Sequence, residues 1–394
     1  MILQLDNYRA CSPGETLTRV SPFLSRLGIT RLARQTGLDN IGIPVWCAFA
    51  PNAKAIVIAQ GKGIDDTAAQ TSAAMEAIER AVATSPACER IITTREKLEA
   101  AQDRVDTLDI LLSPHAPPVA TAEEIECTRA RHLLTGESLW LPFAAVHLDR
   151  TIEAPRYWQS SDGLASGNTR NEAILHATLE RVERDALTLW QMTPASRRYQ
   201  SAIDMAAVVE PVFQDVLSKI AQADLDIALF DITTDMAIPC IVALLGPKKR
   251  TPPRAVRHVD LTYGAGAATS PAVAAMRAIT EAVQSRMTFI AGARDDLLPA
   301  IFSRQADIIM LDALGTSPQK RLEDLPSLGT TSTEQSLDIV LQRLKNAGID
   351  QLFAVDLNPE WLPAAVVKVF APQLENPDGE RHRRFGSRAL SKAL

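Results

Sequence analysis

Four glutamates stand in two pairs, Glu76 with Glu79 and Glu180 with Glu183, thirteen and sixteen residues after Gly63 in one case and after Gly167 in the other. The segments that carry them, GKGIDDTAAQTSAAMEAIER and GNTRNEAILHATLERVER, share a small-residue turn followed by an Ala-rich run. On a helix, a spacing of three puts both carboxylates on one face, and like charges there weaken an isolated helix by roughly 0.2–0.5 kcal/mol. A cation between them removes that penalty. Mg²⁺ suits the role, because it takes oxygen ligands at about 2.1 Å and typically combines a few carboxylates with substrate phosphates. The alternative is two solvated faces, each neutralised by the adjacent Arg80 or Arg184. Met75, Ala77, Ile78, Leu179 and Val182 crowd the glutamates with apolar neighbours, which points to burial. Buried carboxylates must be paired or hold metal.

A third segment, AGAATSPAVAAMRAITEAVQSR, repeats the layout with Glu281 and Gln284 in place of a full pair and adds Arg286. This set suits contact with a nucleotide better than a further metal site, since Arg offers phosphate two parallel donors. Lys62, between Gly61 and Gly63, stands on a glycine turn opening a helix, where its ammonium and free backbone N–H groups can cradle phosphate. Known phosphate loops do not account for these residues. GKG lacks the spacing and the Ser/Thr of a Walker A loop, and Gly264-Ala265-Gly266 lacks the third glycine of a dinucleotide fingerprint. H-E-x-x-H is absent, and GLASG sets its serine one residue late for a serine-hydrolase elbow. His176, inside the second segment, reads as packed or hydrogen-bonded rather than as a metal ligand.

The elements that must position these residues follow from the pattern. Lys54–Gln60 reads as a buried strand, followed by the glycine turn and a helix to about Ala83. Ser138–Leu148 has strand character and a long helix covers Asn171–Met192. Ile203–Ala221 reads as a helix, and Asp226–Ile232 and Ile238–Leu245 as two strands able to pair. Pro271 opens a helix reaching Ala291, Ser332–Ala347 is an amphipathic helix, and strands follow near 351–356 and 364–370. Residues 1–54 form a strand-and-turn entry with no long helix. The fold class is mixed α/β, and no low-complexity linker or charge boundary divides the chain, so residues 1–394 parse as a single domain.

Apolar residues make up 46% and charged residues 22% of the 394, as in ordinary globular chains. A net charge of −6 argues against a general nucleic-acid binder, which needs surplus cations for phosphate. No run of about 18 apolar residues exists to span a bilayer, and the start lacks signal-peptide order, so cytoplasmic residence is expected, with no membrane partner. The cysteines Cys11, Cys47, Cys88, Cys127 and Cys240 form no C-x-x-C pair and read mostly as buried, reduced thiols.

GKG followed by SAAMEAIER, GLASGNTRNEA running into LERVERDA, and EAVQSR with its preceding GAG turn resemble the YcaO family over roughly residues 55–390. The resemblance implies a YcaO-type fold and an enzyme that uses ATP with Mg²⁺ to phosphorylate the oxygen of a backbone amide, which a nucleophile then replaces. Carried over by position, Glu76, Glu79, Glu180 and Glu183 are the metal ligands. Lys62, Ser72, Asn168, Glu172, Gln284 and Arg286 contact the nucleotide, with Arg286 and Glu281 assigned to the transfer itself. The tail PQLENPDGERHRRFGSRALSKAL lacks the proline-alternating end of many azoline-forming members, and the start GITRLARQTGLDNIGIPV resembles members partnered with TfuA-type proteins. That subset is associated with thioamide formation. The expectation is therefore ATP-dependent thioamidation of a precursor peptide or protein with a TfuA-like sulfur-delivery partner. An azoline-forming cyclodehydratase is the alternative, and a non-catalytic ATP-binding docking subunit is the alternative of another class. No winged-helix segment for leader-peptide capture is apparent, which leaves capture to a partner, and assembly as a homodimer is compatible with this reading.

Overall fold

The computed structural model describes residues 9–248, 256–294, 296–376, 381 and 385–393. Three sheets organise most of the chain, and each lends one edge strand to a long helix. An antiparallel sheet runs β1 (Arg31–Arg34), β2 (Val45–Phe49), β3 (Ile58–Lys62). A six-stranded sheet contains β4 (Arg90–Thr93), β5 (Ile125–His132), β6 (Ser138–Pro142) and β7 (Leu164–Gly167). The short β8 (Ile203–Asp204) lies outside these sheets, and β9 (Leu225–Asp231), β10 (Cys240–Pro247) and β11 (Thr262–Ala267) form the third sheet. Finally β12 (Lys320–Arg321) pairs with β8, while β13 (Phe353–Asp356) and β14 (Ala365–Phe370) complete the six-stranded sheet in the order β4-β5-β13-β14-β7, with β6 on β5.

The edge strands β3, β7 and β11 feed the helices Asp66–Thr84, Arg170–Met192 and Pro271–Ala291, hereafter the first, second and third helix. These helices start where the sequence supplies a cap. Asp65 accepts the N–H of Ala68, Thr169 accepts that of Glu172, and Ser270 precedes Pro271 at the first helical position. Each helix lies directly on its own strand, because the strand offers glycine and the helix alanine at the crossing. A Cβ on Gly61 would come within 2.1 Å of Ala69 O and Ala73 N, and one on Gly266 within 2.3 Å of Ala274 O. A Cβ on Gly63 or Gly167 would come within 2.6 or 2.7 Å of the first turn of its helix. Small residues on both sides thus replace the usual layer of large side chains.

Each helix also packs on the strand of the following unit. The first touches β7, the second touches β11, and the third touches β3, so the three units close into a cycle. Three apolar cores fill the outer faces, centred on residues such as Ile78 and Leu141, Ile174 and Phe230, and Phe213 and Ile279. The C-terminal helix Ser387–Ala393 is pinned to the second helix: Arg388 meets the fully buried Asp185 at 2.9 Å and Asp235 at 2.7 Å.

The mixed α/β class and the three repeated helices agree with the sequence reading, and several boundaries do not. The strand expected at Lys54–Gln60 begins at Ile58, since residues 51–57 turn instead. Ser138–Leu148 is a strand only to Pro142, after which Phe143–Val146 forms a helical turn. Ile203–Ala221 divides into β8 and the helix Pro211–Gln222, with Pro211 marking the true start. A short helix, Pro13–Val20, with a complete capping box from Ser12 and Glu15, stands in the entry segment. No helix among the described residues is long and apolar enough to cross a membrane. The cysteines are free thiols, and burial pushes Cys47 and Cys127 up to about 11, so neither is a ready nucleophile.

Candidate active site

Counting from the N-caps Asp65, Thr169 and Ser270 aligns the three helices without a gap. Seven, eleven and fourteen residues on stand Ser72, Glu76 and Glu79 on the first; His176, Glu180 and Glu183 on the second; Arg277, Glu281 and Gln284 on the third. Steps of four and three keep each triplet on one helix face. The apparent shift of Glu281 relative to its preceding glycine comes from two extra residues in the third turn, not from the helix.

These faces turn toward the next strand of the cycle. Glu79 accepts the backbone N–H and the hydroxyl of Ser166 on β7, at 2.8 and 2.7 Å. Glu183 accepts the N–H of Ala267 on β11 at 3.1 Å. Gln284 donates its amide to the carbonyl of Gln60 on β3 at 2.8 Å. The fourteenth position therefore satisfies a backbone group on the open edge of the neighbouring strand, a group that would otherwise be left without a partner. Lys62, the last residue of β3, forms an ion pair with Glu281, whose second oxygen accepts the N–H of Ala265 at 3.4 Å.

The pairs that a solvated face would need are present as well. Arg80 meets Glu76 at 2.5 Å and Arg184 lies 3.6 Å from Glu180. The setting is nevertheless recessed, with Glu180 21% and Glu183 13% exposed. Arg184 stands between Glu180, Glu183 and Asp162 at 3.6–3.9 Å, and its Nε has no hydrogen-bond partner. Desolvation is the main cause of a raised carboxyl at Glu79, about 7, and at Glu180, about 8, where Asp162, Glu183 and Glu79 add repulsion. Glu183 is raised by burial and then by the charge of Glu281. Burial works against ionisation of Glu281 too, but Lys62 and Arg184 outweigh it and hold its carboxyl below the usual range.

Residues assigned to the nucleotide fall into two groups. Lys62, Ser72 and Gln284 belong to the cycle. Asn168 and Glu172 lie at the start of the second helix, where Glu172 accepts both N–H groups of Asn168 and the N–H of Ala10, and Asn168 receives the hydroxyl of Thr16 at 2.9 Å. Thr71 of the first helix donates to Pro13 O, so residues 10–16 tie both helices together at this end. Arg286 stands sixteen residues after its N-cap, off the triplet face, and lies 3.9 Å from the buried Asp39; neither its Nε nor Asp39 Oδ2 has a hydrogen bond.

Three further groups border the recess, and sequence reasoning assigned none of them to the site. His176 is exposed rather than packed, but it is hydrogen-bonded to the backbone of Ser166, as the other half of the sequence reading has it; desolvation and then the charges of Arg277, Arg9 and Lys62 lower its pKa to about 3. Arg277 donates to Ala267 O at 3.0 Å, and Asp162 links Arg184 to Arg181. N-cap counting is the signal that would have found the first two; Asp162 has none in the sequence.

Among the described residues, no three His, Cys, Asp or Glu side chains stand together as a ready cage for a metal. Mg²⁺ does not require such a cage, since it takes a few carboxylates and completes its shell with phosphate and water. The desolvated carboxyls of Glu79, Glu180 and Glu183 offer oxygen ligands, and the Arg184 Nε without a hydrogen bond offers a donor to phosphate, so the residues fit a divalent cation with a polyphosphate.

Residues 60–375 match the family model described as YcaO cyclodehydratase, ATP- and Mg²⁺-binding. An uncharacterized protein in the tfuA 3′ region of Rhizobium leguminosarum bv. trifolii is 36% identical over 388 residues, covering 97% of this chain and 92% of the relative. Among solved structures, a heterocyclase in complex with substrate and cofactor superposes with a TM-score of 0.77 at 22% identity; the match covers 94% of this chain and 54% of that one, so this chain spans about half the heterocyclase's length. YcaO from Methanopyrus kandleri, bound with AMPPCP and Mg²⁺, gives 0.72 at 22% identity and covers 95% and 94%. With a family model over most of its length and a full-length relative above 30% identity, the chain belongs to the YcaO family of ATP-dependent, Mg²⁺-binding enzymes.

Proposed function

We propose that this enzyme activates a peptide-backbone amide with ATP and then replaces its oxygen with sulfur, in the modification of ribosomally synthesised peptides or proteins. One observation carries the ATP step: two complete acidic pairs in identical register on adjacent helices of a closed cycle, desolvated enough to raise Glu79 and Glu180. In this reading Glu76, Glu79, Glu180 and Glu183 hold Mg²⁺, which neutralises the phosphoryl charge as it moves. Lys62, Ser72, Asn168, Glu172, Gln284 and Arg286 contact the nucleotide, and Glu281 and Arg286 serve the transfer, Arg286 by leaving Asp39 for phosphate. The whole chain, residues 1–394, acts as one unit in the cytoplasm, where ATP is made.

The amide oxygen attacks the γ-phosphorus, ADP leaves, and the amide nitrogen gives up its proton as the C=N bond forms. Hydrosulfide then adds to the carbon, phosphate departs with the former amide oxygen, and the nitrogen regains a proton as the C=S bond forms. The obstacle removed is the poor leaving ability of an amide oxygen, and positioning supplies much of the rate. A TfuA-like protein as sulfur donor is supported by the relative encoded in a tfuA 3′ region. Azoline formation is the second reading, favoured by the cyclodehydratase description of the family.

The test combines the purified enzyme, a TfuA-like protein, sulfide, ATP and the peptide encoded beside it. Exchange of oxygen for sulfur in the peptide mass, with release of ADP and phosphate, is expected. Loss of one water instead establishes the azoline reading, and nucleotide binding without turnover establishes a docking subunit. Glu76→Gln and Glu180→Gln are each expected to weaken Mg²⁺-AMPPCP binding at least about tenfold, since loss of even an outer-shell partner costs that much. Unchanged affinity in calorimetry refutes the metal assignment.

A further inference from the structure

The cycle pairs each acidic helix position with one strand residue, the third before the next N-cap. For the first helix that residue is Ser166, for the second Ala267, and for the third Lys62. The contacts fall on these residues from two helix positions: the fourteenth-position Glu79 takes the N–H and hydroxyl of Ser166 and Glu183 the N–H of Ala267, while in the third unit the eleventh-position Glu281 takes the ammonium of Lys62.

Charge runs in step with this geometry. The first two positions offer two carboxylates each and face a small residue, a hydroxymethyl or a methyl group. The third offers one carboxylate and one amide, and it faces an ammonium. Gln284 is not a spare ligand, because its amide is spent as a donor to Gln60 O at 2.8 Å. Each acidic pair carries a formal −2, of which its own arginine, Arg80 or Arg184, offsets one, so a further cation is called for, whereas the −1 of Glu281 is matched by Lys62. Lys62 and Glu281 are 24% and 25% exposed, and the charges of both act on Glu183, which sets the pair beside the acidic pairs.

We infer that Lys62 is a built-in cation: its ammonium holds the third position of the cycle in place of a metal ion and confines Mg²⁺ to the first and second helices. The ammonium keeps two further N–H donors, so pairing with Glu281 and contact with a phosphate are compatible. This inference rests on the metal reading of Glu76, Glu79, Glu180 and Glu183, and the experiment separates the two.

Bound Mn²⁺ is counted by electron paramagnetic resonance at saturating AMPPCP. The double variant Lys62→Met, Gln284→Glu removes the ammonium and restores the second carboxylate, and it is expected to bind one more Mn²⁺ per chain than the wild type. Gln284→Glu alone keeps the ammonium and gains none. A double-variant count equal to or below the wild-type count overturns the inference, as does a gain with Gln284→Glu alone. A wild type that binds no Mn²⁺ overturns the metal reading instead. Should the double variant not fold, Lys62→Met alone serves: Mn²⁺ without nucleotide is expected to raise its melting temperature more than the wild type's, and an equal response sinks the idea.

Discussion

Glu180 and Glu79 hold protons in the folded, metal-free enzyme at pH values where an unfolded chain has released them. The folded state therefore binds more protons than the unfolded one from the ordinary glutamate range up to about 7 for Glu79 and about 8 for Glu180. Stability of the metal-free protein falls as pH rises through that window, and Glu180→Gln is expected to flatten the fall in melting temperature. Metal requires the carboxylates ionised, so Mg²⁺-nucleotide affinity rises over the same window with proton release. Calorimetry near pH 7 in buffers of different ionisation heat reads that release directly, and no buffer dependence would refute it. The paired glutamates were legible in the sequence because type and spacing alone define them. The partner of each was not: Ser166, Ala267 and Lys62 lie far along the chain from the carboxylates they meet, and only the closed cycle joins them.

The strand–helix crossings depend on backbone meeting backbone. Gly61→Val drives a side chain into Ala69 O and Ala73 N, both 2.1 Å from the nearest position of a Cβ, and is expected to cost at least about 3 kcal/mol in urea unfolding. Gly28 provides the contrast. It closes a short helical turn with φ +76 and has nothing within 4 Å of a Cβ, so Gly28→Ala costs roughly 1 kcal/mol through backbone strain alone. If the two substitutions cost the same, direct packing is not what the glycine at 61 provides. The long helices were read almost to the residue, since Ala-rich composition, N-caps and Pro271 all speak locally. Strands were read less well. Val57 belongs to an apolar run yet precedes β3, and Phe143–Val146 continues the run of β6 as a helical turn, because apolar runs mark burial without marking pairing.

Across the whole molecule, the C-terminal helix is fastened through Arg388 to the buried Asp185. Arg388→Ala leaves that carboxylate buried without its ion pair and is expected to cost about 3–5 kcal/mol, checked by chemical unfolding. Asp185→Asn together with Arg388→Ala should recover part of the loss, because the stranded charge is gone. The docked tail was beyond the sequence reading, which saw only the absence of alternating prolines there. The family itself was legible, since its motifs are the cycle. The ring of contacts also sets an order in time. Its last stitch, from Gln284 to Gln60, joins residues 224 apart, and the first helix cannot complete its surroundings from its own neighbourhood. As the chain leaves the ribosome, the first two acidic helices emerge long before the third can close on β3. A nascent chain stalled before the third helix should hold both acidic pairs and still bind no nucleotide, so ATP can reward only a chain that has passed Ala291.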